Sequence, residues 1–256
     1  MATKTAKSAP TSPSRSVNPE EVANFSALAE TWWDPNGPFR PLHKMNPVRL
    51  EFIKGSLCRH FGRDVTATDA LKGLRILDIG CGGGLLCEPL TRLGATMVGA
   101  DASEKNILTA RAHAEQTGLE IDYRYITAEE LADAGETFDA ILNMEVIEHV
   151  ADIPSFLDAC HRLLKDGGCM TLSTINRSAK AWLVAIAGAE YILRWLPVGT
   201  HDWQKFLKPS ELSRSLRDSG FKTSDIKGMV YSPLSGAWSL DAHDFSVNYV
   251  ALAEKA

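Results

Sequence analysis

Apolar residues recur along this chain with two alternating periods. Short aliphatic and β-branched runs occupy residues 75–79, 95–100, 121–126, 138–142 and 169–175. Runs of that length, the first closed by Gly80 and the second by Asp101, predict buried strands. Between them lie stretches of helical spacing. Residues 85–92 form one, and a second shows Ile107, Leu108, Ala110 and Ala114 on one face, with Ser103 placed to cap it and Gly118 to end it. A short acidic helix holds Glu129, Glu130 and Leu131, and residues 153–164 make a longer one ahead of the turn 165–168. Upstream, the ordered chain is expected to begin near Asn18, with Pro19 and Glu20 in a first turn. Phe25, Leu28, Ala29 and Trp32 then mark an amphipathic helix over 22–32, and Pro47 opens another that carries Val48, Leu50, Phe52 and Ile53. Residues 220–229 and 245–254 read as a closing pair of strands joined by a loop, 231–243. Strands alternating with helices imply an α/β, doubly wound, Rossmann-like sheet with its ligand crevice at the carboxyl ends of the strands.

The first strand ends in Gly80, Gly82, Gly83 and Gly84. Glycine allows a sharp turn and leaves the backbone open to close approach. If a helix follows at Leu85, the turn points backbone N–H groups outward at a helix N-terminus. A bare strand–helix turn is the alternative, and the density of glycine argues for a ligand. A dinucleotide fingerprint needs a last glycine where this chain has Leu85. Asp78, just before the turn, would repel a pyrophosphate and attract an ammonium group. Asp101 closes the second strand about 20 residues on, the spacing of a carboxylate that binds ribose hydroxyls. Residues 80–84, Asp101 and residues 143–149 should therefore converge. A nicotinamide-dependent oxidoreductase stays open as a second class of function.

Charge and composition narrow the partners. The chain has 256 residues and a formal net charge of −5, with no dense Lys/Arg run, so nucleic acid is not expected as a partner. Five cysteines without a Cys-x-x-Cys pair suit reduced thiols in a cytosolic compartment rather than disulfides or structural zinc. Residues 1–17 are rich in Ser, Thr, Pro and Ala and have no apolar core, which excludes a secretory signal and reads as a disordered tail. One domain over 18–256 follows. Residues 32–53 crowd Trp32 and Trp33 among prolines, either as core padding or as a cover over a ligand pocket. Residues 180–197 are apolar around most of a helix circumference and interrupted by Glu190 and Arg194, too short to span a bilayer. They read as either a core helix or, within an insertion over 178–207, a mobile lid that touches anionic lipid through Trp182, Leu183 and Trp195, with Arg177 and Lys180 alongside.

Asp78 followed by Gly80, Cys81, Gly82, Gly83 and Gly84 resembles the first motif of class I S-adenosylmethionine-dependent methyltransferases, whose loop cradles the methionine end of the cofactor. Trp32-Trp33-Asp34-Pro35, Pro41-Leu42-His43, Asn46-Pro47-x-Arg49-Leu50, Met144-Glu145-x-x-Glu148-His149-Val150, Gly188-Ala189-Glu190-Tyr191-Ile192-Leu193 and Gly199-Thr200-His201-Asp202 are more specific. Together they resemble the ubiquinone-biosynthesis O-methyltransferases over nearly the whole chain. The resemblance implies a class I methyltransferase fold and methyl transfer from S-adenosylmethionine to ring hydroxyls of polyprenylated phenols and catechols, at two steps. It implies cofactor contacts at Arg49, Gly80, Asp101 and Met144, joined by Asp78, Cys81, Gly82 and Gly84 of the motif. A cytoplasmic enzyme, peripheral at the inner membrane and in contact with other ubiquinone-biosynthesis proteins, is the matching location. A non-catalytic cofactor-binding partner of such a complex is the alternative.

A phenol has a pKa of about 10, so its proton needs help to leave at neutral pH. Glu145, Glu148 and His149 stand at i, i+3 and i+4, one face of a helical turn if that segment is helical. Two readings follow. The face holds Mg²⁺ with waters, which both catechol oxygens displace, and His201 folds over as a fourth ligand or a base. Without metal, His149 is the general base, its pKa raised by the neighbouring carboxylates.

Overall fold

The computed structural model describes residues 16–182 and 203–256. Parallel strands β1 (Arg75–Ile79), β2 (Thr96–Asp101), β3 (Asp122–Tyr125), β4 (Phe138–Met144) and β5 (Leu164–Ile175) stand in the order β3-β2-β1-β4-β5. Their carboxyl ends share one edge. The sheet continues through β8 (Asn248–Lys255), antiparallel to β5, then β6 (Phe221–Ser232) and β7 (Ala237–Asp241). Helices α1 (Pro19–Ala27), α2 (Arg40–His60), α3 (Cys87–Arg92), α4 (Glu104–Thr117), α5 (Ala128–Asp133) and α6 (Ile153–Leu163) come before or between the first five strands. A single turn, α7 (Ala179–Ala181), and then α8 (Pro209–Asp218) follow β5. One face of the sheet packs Phe52, Ile53, Leu57, Leu90 and Ile107 against Ile76 and Leu142. The other packs Leu131, Leu157, Leu212 and Leu216 against Leu77, Ile141 and Tyr249. The doubly wound α/β reading holds.

Several elements differ from the sequence expectation: α1 ends at Ala27, short of the helix expected over 22–32, and β5 takes in the turn expected at 165–168. Helix α2 starts at Arg40, with Pro41 in its first turn, and runs through Pro47. A proline inside a helix costs ~3 kcal/mol. Met45, Val48, Phe52, Ile53 and Leu57 form one buried face across it, each contributing about 1.5–3 kcal/mol, so burial wins. Helix α8 was not legible in advance; Pro209 opens it and Leu212 and Leu216 bury its inner face. The stretch 231–243 is not only a loop, because it contains β7, hairpin partner of β6. The closing pair itself is present as β6 and β8.

At the other end, Ser16 is buried and its carbonyl accepts from the Ala151 N–H at 2.9 Å. The ordered chain thus reaches back before Asn18. From there α1 and the short turn Ala29–Thr31 lead to Trp32, which packs in a small cluster with Ala29, Phe39 and Leu85. Of the insertion over 178–207, residues 183–202 lie outside the described residues, and His201 with them. Among the described residues no helix is long and apolar enough to cross a membrane. All five cysteines are free and buried. Ile53 on α2 is fully buried against the sheet, so Ile53→Ala should cost about 2–5 kcal/mol of stability in urea denaturation.

Candidate functional site

The glycine loop turns four of its N–H groups inward. Gly80 and Cys81 N–H both donate to the Ala100 carbonyl (2.8 and 3.0 Å), Gly82 N–H donates to Asp101 Oδ2 (2.9 Å), and Gly84 N–H donates to Cys81 O (2.9 Å). Helix α3 begins only at Cys87. Donors that would hold a phosphate are spent inside the fold, which removes the physical basis of a dinucleotide site. Glycine is needed here for approach rather than for donors. Gly82 has φ 54° and a Cβ there would strike the Trp32 ring; a Cβ on Gly80 would come within 2.6 Å of Val146 Cγ2.

Asp101 gathers the loop and the cover. Its Oδ1 accepts from Ser103 N–H (2.8 Å) and Asn106 Nδ2 (3.2 Å), while Oδ2 takes the Gly82 N–H. Asn106 Oδ1 in turn accepts from the Trp32 indole N–H (3.0 Å), and Trp33 Nε1 donates to Gly83 O (2.9 Å). Trp32 stacks on Phe39 with centroids 3.7 Å apart, and Trp33 stacks on His113. The tryptophans are both core and cover. Burial raises the Asp101 pKa, and the three hydrogen bonds oppose that rise.

Beneath the loop lies a charge cluster. Asp78 is buried, accepts from the Cys87 thiol at 3.3 Å, and is pushed by burial up to about 7. Arg49 is buried beside it, donates to Asn46 Oδ1 at 2.6 Å, and leaves Nε without a partner. Each biases the other's ionisation, yet the described residues give Arg49 no ion-pair partner. Glu145 and then Asp78 favour the Arg49 charge, and a guanidinium and a carboxyl group side by side are the types that meet the carboxylate and ammonium of an amino-acid moiety.

A cavity of about 600 Å³ opens at the carboxyl edge of the sheet. Gly80, Asp101, Met144, Glu145, Glu148 and His149 reach it; Arg49, Asp78, Cys81, Gly82 and Gly84 stand behind its wall. Glu145 has φ 59°, left-handed and sparsely populated for a non-glycine residue. It is pinned there because its N–H donates to Ser173 O (3.0 Å) and its Oε1 accepts from Ser173 Oγ (2.6 Å). Only Ile147–His149 forms a turn, of the 3₁₀ kind. The three residues therefore do not share the face of one α-helical turn, as their spacing suggested. Among the described residues no three His, Cys, Asp or Glu side chains are placed to hold a metal ion. They still sense one another. Burial, then the charge of Glu145, pushes Glu148 up to about 7, and Glu145 is raised by its own burial.

Comparison with known proteins decides the family. A model described as a methyltransferase domain matches residues 50–225. The ubiquinone biosynthesis O-methyltransferase of Dinoroseobacter shibae is 59% identical over 240 residues, covering 94% of this chain and 97% of that protein. That of Chelativorans sp. is 59% identical over 239 residues, covering 93% and 94%. This chain belongs to the ubiquinone biosynthesis O-methyltransferase family. Its fold is that of magnesium protoporphyrin IX methyltransferase from Synechocystis PCC 6803, solved with bound SAM (TM-score 0.59, 17% identity, 92% of this chain and 97% of that one). The PH0226 protein of Pyrococcus horikoshii OT3 shares it too (TM-score 0.61, 15% identity, 91% and 99%). The chain is a SAM-dependent O-methyltransferase with the S-adenosylmethionine-binding methyltransferase fold. The oxidoreductase and the non-catalytic partner are set aside.

The methyltransferase holds His149 with residues that the sequence reading passed over. Glu21 Oε2 lies 3.2 Å from His149 Nδ1, and the edge of Phe25 meets the ring at 5.2 Å, both from α1. Lys205 Nζ reaches the other Glu21 oxygen at 2.7 Å. Nothing local marks Glu21; an acid in a helix's first turn reads as a dipole partner. The close contact with His149, with help from Lys205, holds Glu21 down at about 2. Burial favours a neutral His149, but Glu21, Glu148 and Glu145 together carry its pKa above the usual value. The Glu21–His149 pair therefore stabilises the fold fully between the ordinary glutamate and imidazole values of 4.5 and 6.5. That contribution is lost as pH falls through the lowered value or rises through the raised one. Glu21→Gln should lower the His149 pKa in an NMR titration. It should also cost more stability at about pH 5.5 than at about pH 8.5 in urea unfolding.

Proposed function

We propose that this methyltransferase acts on ring hydroxyls of polyprenylated phenols and catechols, at both O-methylation steps, with His149 as the proton acceptor. The observation that carries the reading is one cavity that Asp101 and His149 both line, with mostly apolar walls. When bound, S-adenosylmethionine supplies a methyl group already activated as a sulfonium. The residues here fit it: Asp101, a strand-end carboxylate suited to a ribose, lines the cavity with Met144 and Gly80, and the buried Arg49 and Asp78 behind its wall are of the types that hold an amino-acid end. Cys81, Gly82 and Gly84 shape the loop without touching the cavity. The chain's own task is then to place the acceptor oxygen behind the methyl and to receive its proton. Glu21 on Nδ1 leaves Nε2 of His149 for that proton, and the three carboxylates favour the imidazolium that results.

A second reading of the same place is Mg²⁺ held by Glu145, Glu148 and His149, whose side chains would have to turn together from their described placement. It is favoured by the buried Glu148 Oε2, which has no partner, and by the Glu145 carboxylate, whose charge adds to burial in raising Glu148 to about 7. A hard cation would relieve both. Membrane contact by residues 180–197 is proposed from sequence alone. Arg177 and Lys180 add less to it than expected, since they pair with Glu211 and with Asp244 (Lys180 at 3.1 Å).

Incubation with methyl-labelled S-adenosylmethionine and a prenylated catechol should transfer label. His149→Ala should lower turnover about 10²- to 10⁴-fold, and Asp101→Ala should weaken S-adenosylhomocysteine binding about 10- to 100-fold in calorimetry. Full activity in excess EDTA would sink the Mg²⁺ reading; loss that Mg²⁺ restores would support it. Retention of the protein in the soluble fraction on flotation with anionic liposomes would count against membrane contact.

A further inference from the structure

The hairpin β6–β7 gives the cavity a wall that methyl transfer itself does not require. Strand β6 runs in the same direction as β5, because each is antiparallel to β8. Its far end therefore reaches the edge where Asp101 and His149 lie. Residues two apart on a strand share a face, and those opposite across a hairpin meet. Met229 pairs with Leu240 and Tyr231 with Trp238, so all four side chains lie on one face. The first pair belongs to the core: Met229 is buried in it and Leu240 packs against it. The second pair stands one step farther out. There Tyr231 and Trp238, ring centroids 5.5 Å apart, line the cavity together with Leu42 and Met45 of α2, the helix that touches β7. The root of the hairpin is fixed, since any side chain at Gly228 would run into the Asp244 carbonyl.

An acceptor whose hydroxyl reaches His149 must lay the rest of its body on apolar surface. Resting on the acceptor class proposed above, we infer that Tyr231 and Trp238, with Leu42 and Met45, bind the isoprenoid tail and make the enzyme select tailed over tail-free phenols. Tyr231 and Trp238 are specificity residues on the hairpin, with no part in receiving the proton.

The test compares two acceptors, a catechol bearing a farnesyl group and the same catechol bearing a methyl group in its place. Trp238→Ala should raise KM for the farnesylated catechol about tenfold or more. It should leave kcat for both acceptors and KM for the methyl-substituted one unchanged. Trp238→Phe, which keeps an apolar ring, should stay near wild type on both. Calorimetry of the farnesylated catechol against protein loaded with S-adenosylhomocysteine should show the same loss of affinity. Tyr231→Ala should separate the two acceptors in the same way, so a folding failure of one variant leaves the question answerable. Equal losses on both acceptors, or wild-type affinity for the tailed one in both alanine variants, would overturn the tail site alone. A wild type that methylates neither catechol would overturn the acceptor class, and the tail site with it.

Discussion

One carboxylate holds the working end of this molecule together. Asp101 takes the N–H of Gly82 from the glycine loop, the N–H of Ser103 from the start of α4, and the amide of Asn106, which is tied in turn to Trp32 of the N-terminal cover. Loop, helix and cover are separate in the chain and meet at two oxygen atoms. Hydrogen bonds to a charged acceptor contribute about 1.5–3 kcal/mol each and are strongest where water is excluded. Three donors offset part of the cost of burying the charge. A carboxylate has room for about four hydrogen bonds, so these three donors leave capacity for a further one.

The parallel core was legible because its physics is local. Strands β1, β2 and β4 are short, largely apolar runs that close near Gly80, Asp101 and Asn143, and the Ser103 and Gly118 caps bracket α4 as their chemistry requires. The start of α2 was not legible because two prolines compete for the first turn, and only the buried face spanning Pro47 shows that Pro41 has it. Strand β7 is five residues long with half-buried alternation. Its register comes from pairing with β6, which no local pattern reveals.

Site residues divide along the same line. Asp101, Met144, Glu148 and His149 could be placed from strand ends, since a parallel sheet delivers those ends to one edge. The geometry of Glu145 could not, because spacing rules assume a regular helix and its backbone is left-handed. Glu21 and Tyr231 lie more than 80 residues from His149 in opposite directions. Their contribution depends on which elements fold over the edge, a tertiary fact with no local trace.

The left-handed turn at Glu145 also shapes how this protein can change. A conformation of that kind stores on the order of 1–3 kcal/mol, and glycine would release much of it at no steric cost. The exchange would also remove the carboxylate that Ser173 grips and that helps charge His149. Glycine at position 145 would therefore trade a strained but anchored carboxylate for a relaxed turn, and the charge that reaches His149 would go with it.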